Sequence, residues 1–184
     1  MLGAICFGSV ETNPRLSMSY RTAQWCLFAA FLAHNLEEGT TVGGYLPKSQ
    51  SILSKYYGAA AMGARVTPGY FAWALVAVSA AGFVFVSLGG WRPFLPVLLA
   101  AVMFVNVLVP HVPAAIALGG YAPGVVTAVL VNLPYSSWFL LRSVKEGQAS
   151  RREVVTALVV APAVIAVSIG AVFLATFAAT VAPN

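Results

Sequence analysis

The chain has 184 residues, 60% of them hydrophobic and 8% charged, where a soluble domain has roughly 45–50% and roughly 25%. A water-solvated surface, a disordered chain and a disulfide scaffold are excluded together, the last because Cys6 and Cys26 are the only cysteines. The net charge of +5 comes from ten Lys and Arg spread over loops, not from a basic stripe, so nucleic acid is excluded as a partner.

The remaining class is an all-α integral membrane bundle, one domain by length, in a cell membrane with lipids as its neighbours. In lipid every backbone polar group must be satisfied within the segment, so each span needs about 20 mainly apolar residues. Residues 1–18 precede the first span as an N-terminal extension, a candidate for disorder. Their apolar run ends at Glu11 and has no basic start, which excludes a cleavable signal. Residues 19–184 then form a single helical domain with five expected spans. The stretches are continuous rather than alternating, so a β-barrel is excluded.

The first span runs from about Thr22 to Glu38 and ends in Phe31-Leu-Ala-His34-Asn35-Leu-Glu37-Glu38. Two adjacent carboxylates here hold two of the chain's five acidic residues. A charge at the centre of a span costs roughly 2.5–3.5 kcal/mol, so the pair must lie near the interface, be protonated or be compensated. His34 reaches Glu37 at a step of three and Glu38 at a step of four, which places all three on one helix face. That face suits metal ligation or general acid–base work, because two like charges so close cannot easily both ionise. The plainer reading is a helix end solvated at the membrane surface, with Gly39 as its stop.

The second span runs from about Tyr70 to Leu88, with Pro68 placed for a helix start. The third covers about Phe94 to Leu118, is interrupted by Pro110 and Pro113, and carries Asn106 and His111. Asn106 fits interhelical glue, and His111 fits a bond to a carbonyl freed by Pro113. The fourth, about Pro123 to Leu141, opens with Gly119-Gly120-Tyr121-Ala122-Pro123-Gly124 and carries Thr127 and Asn132. Irregular backbone at membrane depth is tolerated only where it is buried or lines a cavity. Tyr121 and Thr127 therefore offer a phenol and a hydroxyl to a site, or simply form a tight turn with an interfacial tyrosine. The fifth span, Val154 to Val181, contains Pro162 as an expected kink. Cys26, inside an apolar helix, behaves as a small hydrophobe.

Seven Lys and Arg (Arg15, Arg21, Arg92, Arg142, Lys145, Arg151, Arg152) fall on the side of the N-terminus and three (Lys48, Lys55, Arg65) on the other, which predicts a cytoplasmic N-terminus. At ~1.5 Å per residue, His34 then lies about 20 Å along its span from the inner end and His111 about 25 Å along its own. Both helices run outward, so the two histidines can meet in the outer half of the bilayer. A single cluster of His34, Glu37, Glu38, Asn106, His111 and Asn132 is geometrically allowed.

These residues together resemble the HXXEE domain family, small multi-pass membrane proteins named for the pattern seen here as His34-Asn35-Leu36-Glu37-Glu38. The Asn106 and His111 pair and the stretch from Tyr121 to Pro134 extend the resemblance over about Ser19 to Arg142. It implies site residues but no substrate.

The leading functional expectation is a membrane-embedded enzyme in which His34, Glu37, Glu38 and His111 bind zinc, iron or manganese or serve as acid and base. In it Asn106, Tyr121 and Asn132 assist, and the substrate is a lipid or other apolar small molecule. One arrangement uses both histidines and one glutamate as ligands, with the other glutamate activating water. A metal-free version has a protonated glutamate act on a double bond, as in an isomerase or cyclase. Competing expectations are a proton-coupled transporter or small channel and a non-catalytic accessory subunit.

Overall fold

Proline, glycine and capping residues set where the helices begin and end. The structure, a computed structural model, describes residues 18–57 and 67–181. Residues 1–17 of the expected N-terminal extension, Cys6 and Arg15 among them, and Arg65 lie outside the described residues. Five long helices carry the fold: α1 (Tyr20–Tyr57), α2 (Pro68–Ser87, ending in a tighter turn Leu88–Gly90), α3 (Phe94–Leu118), α4 (Val125–Lys145) and α5 (Arg151–Val181). Thr67 caps α2 by accepting from the Tyr70 amide, with Pro68 at the first helical position, where its missing N–H costs nothing. Ser150 and Glu153 form a reciprocal cap at the start of α5.

By length and composition, α2 to α5 can cross a membrane. The first helix is longer than expected and less apolar, because Gln24, His34, Asn35, Glu37 and Glu38 dilute its run. It does not stop at Glu38. Gly39 lies inside α1 without a positive φ, and a Cβ there would sit 3.2 Å from the Leu75 side chain of α2. The residue expected to end the helix thus serves helix contact instead. The same use of small residues recurs at Gly82 of α2, where a Cβ would meet the Phe31 ring at 2.9 Å. α5 continues past Pro162, so that proline interrupts one hydrogen bond without ending the helix.

The third helix is central, in contact with all the others, and is buried along Pro96 to Ala101. Ala23 and Leu27 of α1, Phe139 of α4, and Ala157 and Ala161 of α5 complete the core. The outer faces carry large apolar side chains: Trp73 of α2 is 73% exposed and Val159 of α5 is 72% exposed. In water such a surface is an aggregation liability; in lipid it is the ordinary exterior. At the end nearest the N-terminus, Arg21 lies over Trp25 at 5.3 Å and Arg142 over Trp138 at 5.1 Å, pairings that belong at a membrane–water interface.

Two irregular turns position the site. Where Pro110 and Pro113 predict an interruption, α3 widens over Val107–His111 and leaves helical geometry at Val109 (φ −150°, ψ 113°). A second widened turn, Ala128–Asn132, opens α4. The two turns pack against each other, and the second also packs on α1. Widened turns of this kind concentrate at functional positions.

Candidate metal centre

The polar stripe of α1 faces these turns. His34 is 1% exposed and His111 3% exposed, and their rings meet edge to face with centroids 4.6 Å apart. Two imidazoles from different helices, at positions 34 and 111, are thus brought together.

Hydrogen bonding fixes which ring nitrogens are free. The Nδ1 of His111 lies 3.0 Å from the carbonyl oxygen of Pro123, which can only accept, so Nδ1 carries the hydrogen and donates it. The Nδ1 of His34 lies 3.1 Å from Thr127 Oγ1. That hydroxyl donates its single hydrogen to Glu37 Oε2 at 2.6 Å, so it accepts from His34. In the neutral rings both Nε2 atoms therefore hold lone pairs. They share one donor group: Asn106 Nδ2 lies 2.9 Å from His111 Nε2 and 3.3 Å from His34 Nε2.

Glu38 joins this pair and Glu37 does not. Glu38 Oε2 is 3.8 Å from His34 Nε2, with the side chain 18% exposed. One ligand atom each from His34, Glu38 and His111 lies within 4.8 Å of the others. Bonds of ~2.0–2.2 Å would bring such atoms somewhat closer together around one ion. The donor set fits a cation: two imidazoles with their outer N–H groups already donating, plus a carboxylate, match zinc, iron and manganese chemistry. Asn106 would yield its bonds to Nε2 on cation binding.

The Glu37 carboxylate, expected among the ligands, is turned to α4. Its Oε1 accepts from the Tyr121 hydroxyl at 2.7 Å and the Val126 amide at 3.3 Å, and its Oε2 from the Thr127 amide at 2.8 Å and the Thr127 hydroxyl. These amides are orphan donors of the first turn of α4, so Glu37 caps that helix from a neighbouring one, where the helix dipole favours negative charge. Tyr121 also reaches Thr41 Oγ1 at 3.3 Å. Burial, with the Glu37 carboxylate beside it, raises the Tyr121 phenol above its ordinary range and keeps it a donor. Glu37 thereby orients His34 through Thr127, a carboxylate–hydroxyl–imidazole chain.

The remaining expected residue, Asn132, is 1% exposed and ends the widened turn of α4. Neither of its amide atoms has a hydrogen-bond partner among the described residues. Asn35, between the motif positions, donates to Ser79 of α2 at 2.8 Å and so stays out of the cluster.

Two contributors escaped the sequence reading. Pro123 acts through its backbone carbonyl, which no side-chain pattern announces. Gly124 has φ +77°, and a Cβ on it would lie 2.8 Å from His34 Cε1 and 3.0 Å from His111 Cε1. A glycine after a proline at the mouth of a span was the available signal.

Comparison with known proteins places a family beside this geometry. Residues 25–139 match the family described as protein of unknown function with HXXEE motif, and the chain belongs to it. No curated protein and no solved structure matches the chain.

Proposed function

We propose that this member of the HXXEE family is a membrane-embedded, metal-dependent enzyme acting on an apolar, lipid-like small molecule. His34, His111 and Glu38 would hold a divalent cation; Glu37, Thr127 and the Pro123 carbonyl orient the two imidazoles. The observation that supports this best is the tautomer pattern: both Nδ1 hydrogens are committed outward, leaving both Nε2 lone pairs directed at one point beside a carboxylate.

A cation there would supply Lewis acidity and a source of hydroxide at neutral pH. The chain's own residues bind and orient. Glu38, outside the set of donors that hold Glu37, is the carboxylate left to face the imidazoles. The irregular turns beside the site carry lipid-facing side chains, with Leu108 49% and Leu130 69% exposed, which favours an apolar substrate arriving laterally.

Elemental analysis tests the reading. Protein purified in detergent, after incubation with zinc, iron(II) or manganese and removal of excess, should retain close to one ion per chain for at least one of the three. The double variant His34→Ala, His111→Ala should retain none while staying folded. Retention far below one for all three metals refutes the proposal.

A further inference from the structure

Asn132 stands apart from the satisfied network around it. It is 1% exposed, yet its Nδ2 and Oδ1 have no hydrogen-bond partner among the described residues. Its own carbonyl takes the Ser136 hydroxyl at 2.5 Å, and the preceding Leu130 and Val131 of the widened turn are 69% and 37% exposed on the apolar exterior. A carboxamide enclosed on the bundle side, with two N–H groups and two lone pairs unused, is costly in an apolar setting and is seldom kept without an occupant.

The packed turns locate it. α3 and α4 run in opposite directions, and their widened turns pack together. Asn106 precedes one turn and His111 ends it; Thr127 precedes the other and Asn132 ends it. His111 and Thr127 both belong to the imidazole layer. Asn106 and Asn132 each stand five residues along the chain from a member of that layer, Asn106 from His111 and Asn132 from Thr127, and so flank it from the two packed turns. The amide hydrogens of Asn106 are engaged by the imidazoles; those of Asn132 are not.

We propose that Asn132 forms a polar-head subsite for the substrate and binds a neutral group that donates and accepts at once, a hydroxyl or a carboxamide at the end of an apolar tail. This rests on the reading of the cluster as a substrate site but not on the presence of a metal. The matching argument is chemical. An unpaired N–H beside an unpaired C=O is satisfied by one group carrying both functions, whereas an ester or ketone would leave the carbonyl orphaned. A carboxylate would meet an acceptor as well as a donor and would bring an uncompensated charge.

The test uses chelator-treated full-length protein in detergent and four probes of equal tail length: dodecanol, dodecanamide, methyl dodecanoate and dodecane. Dodecanol and dodecanamide should raise the thermal midpoint by a few degrees more than the ester or the alkane. The nearly isosteric Asn132→Leu variant should fold, bind metal as wild type does, and respond equally to all four probes. Asn132→Ala serves as a second variant should leucine not fit. An equal response of the wild type to all four probes overturns the proposal, as does failure of both variants to fold, which would show that the amide is held by the protein itself. Metal retention without probe discrimination would sink this inference alone; probe discrimination without metal retention would sink the metal reading alone.

Discussion

Substituting Gly124 by alanine tests the site's geometry through two separable costs. The backbone at Gly124 is left-handed, φ +77°, a conformation that costs an L-residue about 1–2 kcal/mol. The added Cβ would also stand 2.8 Å from His34 Cε1, 3.0 Å from His111 Cε1 and 3.3 Å from His34 Nδ1. All three are shorter than ordinary contact, the first so short that an atom must shift, and both rings are pinned by hydrogen bonds. Overpacking of this kind costs about 1–3 kcal/mol. Gly119 supplies the control: its φ is +67°, but nothing lies within 4 Å of a Cβ built on it. Gly119→Ala should therefore lose about 1–2 kcal/mol, and Gly124→Ala about 2–5 kcal/mol in all. At ~2–4 °C per kcal/mol for a chain of this size, thermal unfolding in detergent resolves the difference. Metal retention should fall in Gly124→Ala and stay unchanged in Gly119→Ala. Equal stability losses with metal retained in both variants would mean that the imidazoles do not lie against this loop, and the tautomer argument would fall with them.

The two glutamates should separate. Glu37→Gln puts an amide nitrogen against a cluster of donors and should lower stability by about 1.5–3 kcal/mol, the worth of hydrogen bonds to a charged group, whereas Glu38→Gln should leave the thermal midpoint nearly unchanged and weaken metal retention. Equal losses of both quantities in both variants would contradict this division. The charge count predicts that a reporter fused after Val181 reads as external; a cytoplasmic signal there would mean a reversed orientation or an even number of spans.

Much of the fold was legible because lipid imposes simple demands. Apolar length located α2 to α5 within a few residues, and the proline pairs marked the break in α3. The end of α1 was misread, since Gly39 resembles a stop signal and only the α1–α2 contact at Leu75 shows its other use. Within the site, helical spacing put His34, Glu37 and Glu38 on one stripe, and depth arithmetic brought His111 to the same level. Spacing could not tell the two carboxylates apart. Both steps, three and four, permit contact with His34, and what separates them is the first turn of α4, whose amides claim Glu37. Such donors have no side-chain signature, and neither has the Pro123 carbonyl.

The widened turns make the winding of the backbone itself a determinant of this cluster. In a regular α-helix residues five apart point about 140° away from each other, yet Asn106 and His111, five apart, touch at 2.9 Å. Rewinding this turn into a regular α-helix with every residue kept would leave a span still apolar and still long enough to cross a bilayer, while swinging one partner to a different side of the helix. Every letter of the motif would survive such a change. Proteins that share the pattern on paper can accordingly differ in whether its members ever meet, and a comparison of letters alone would not notice.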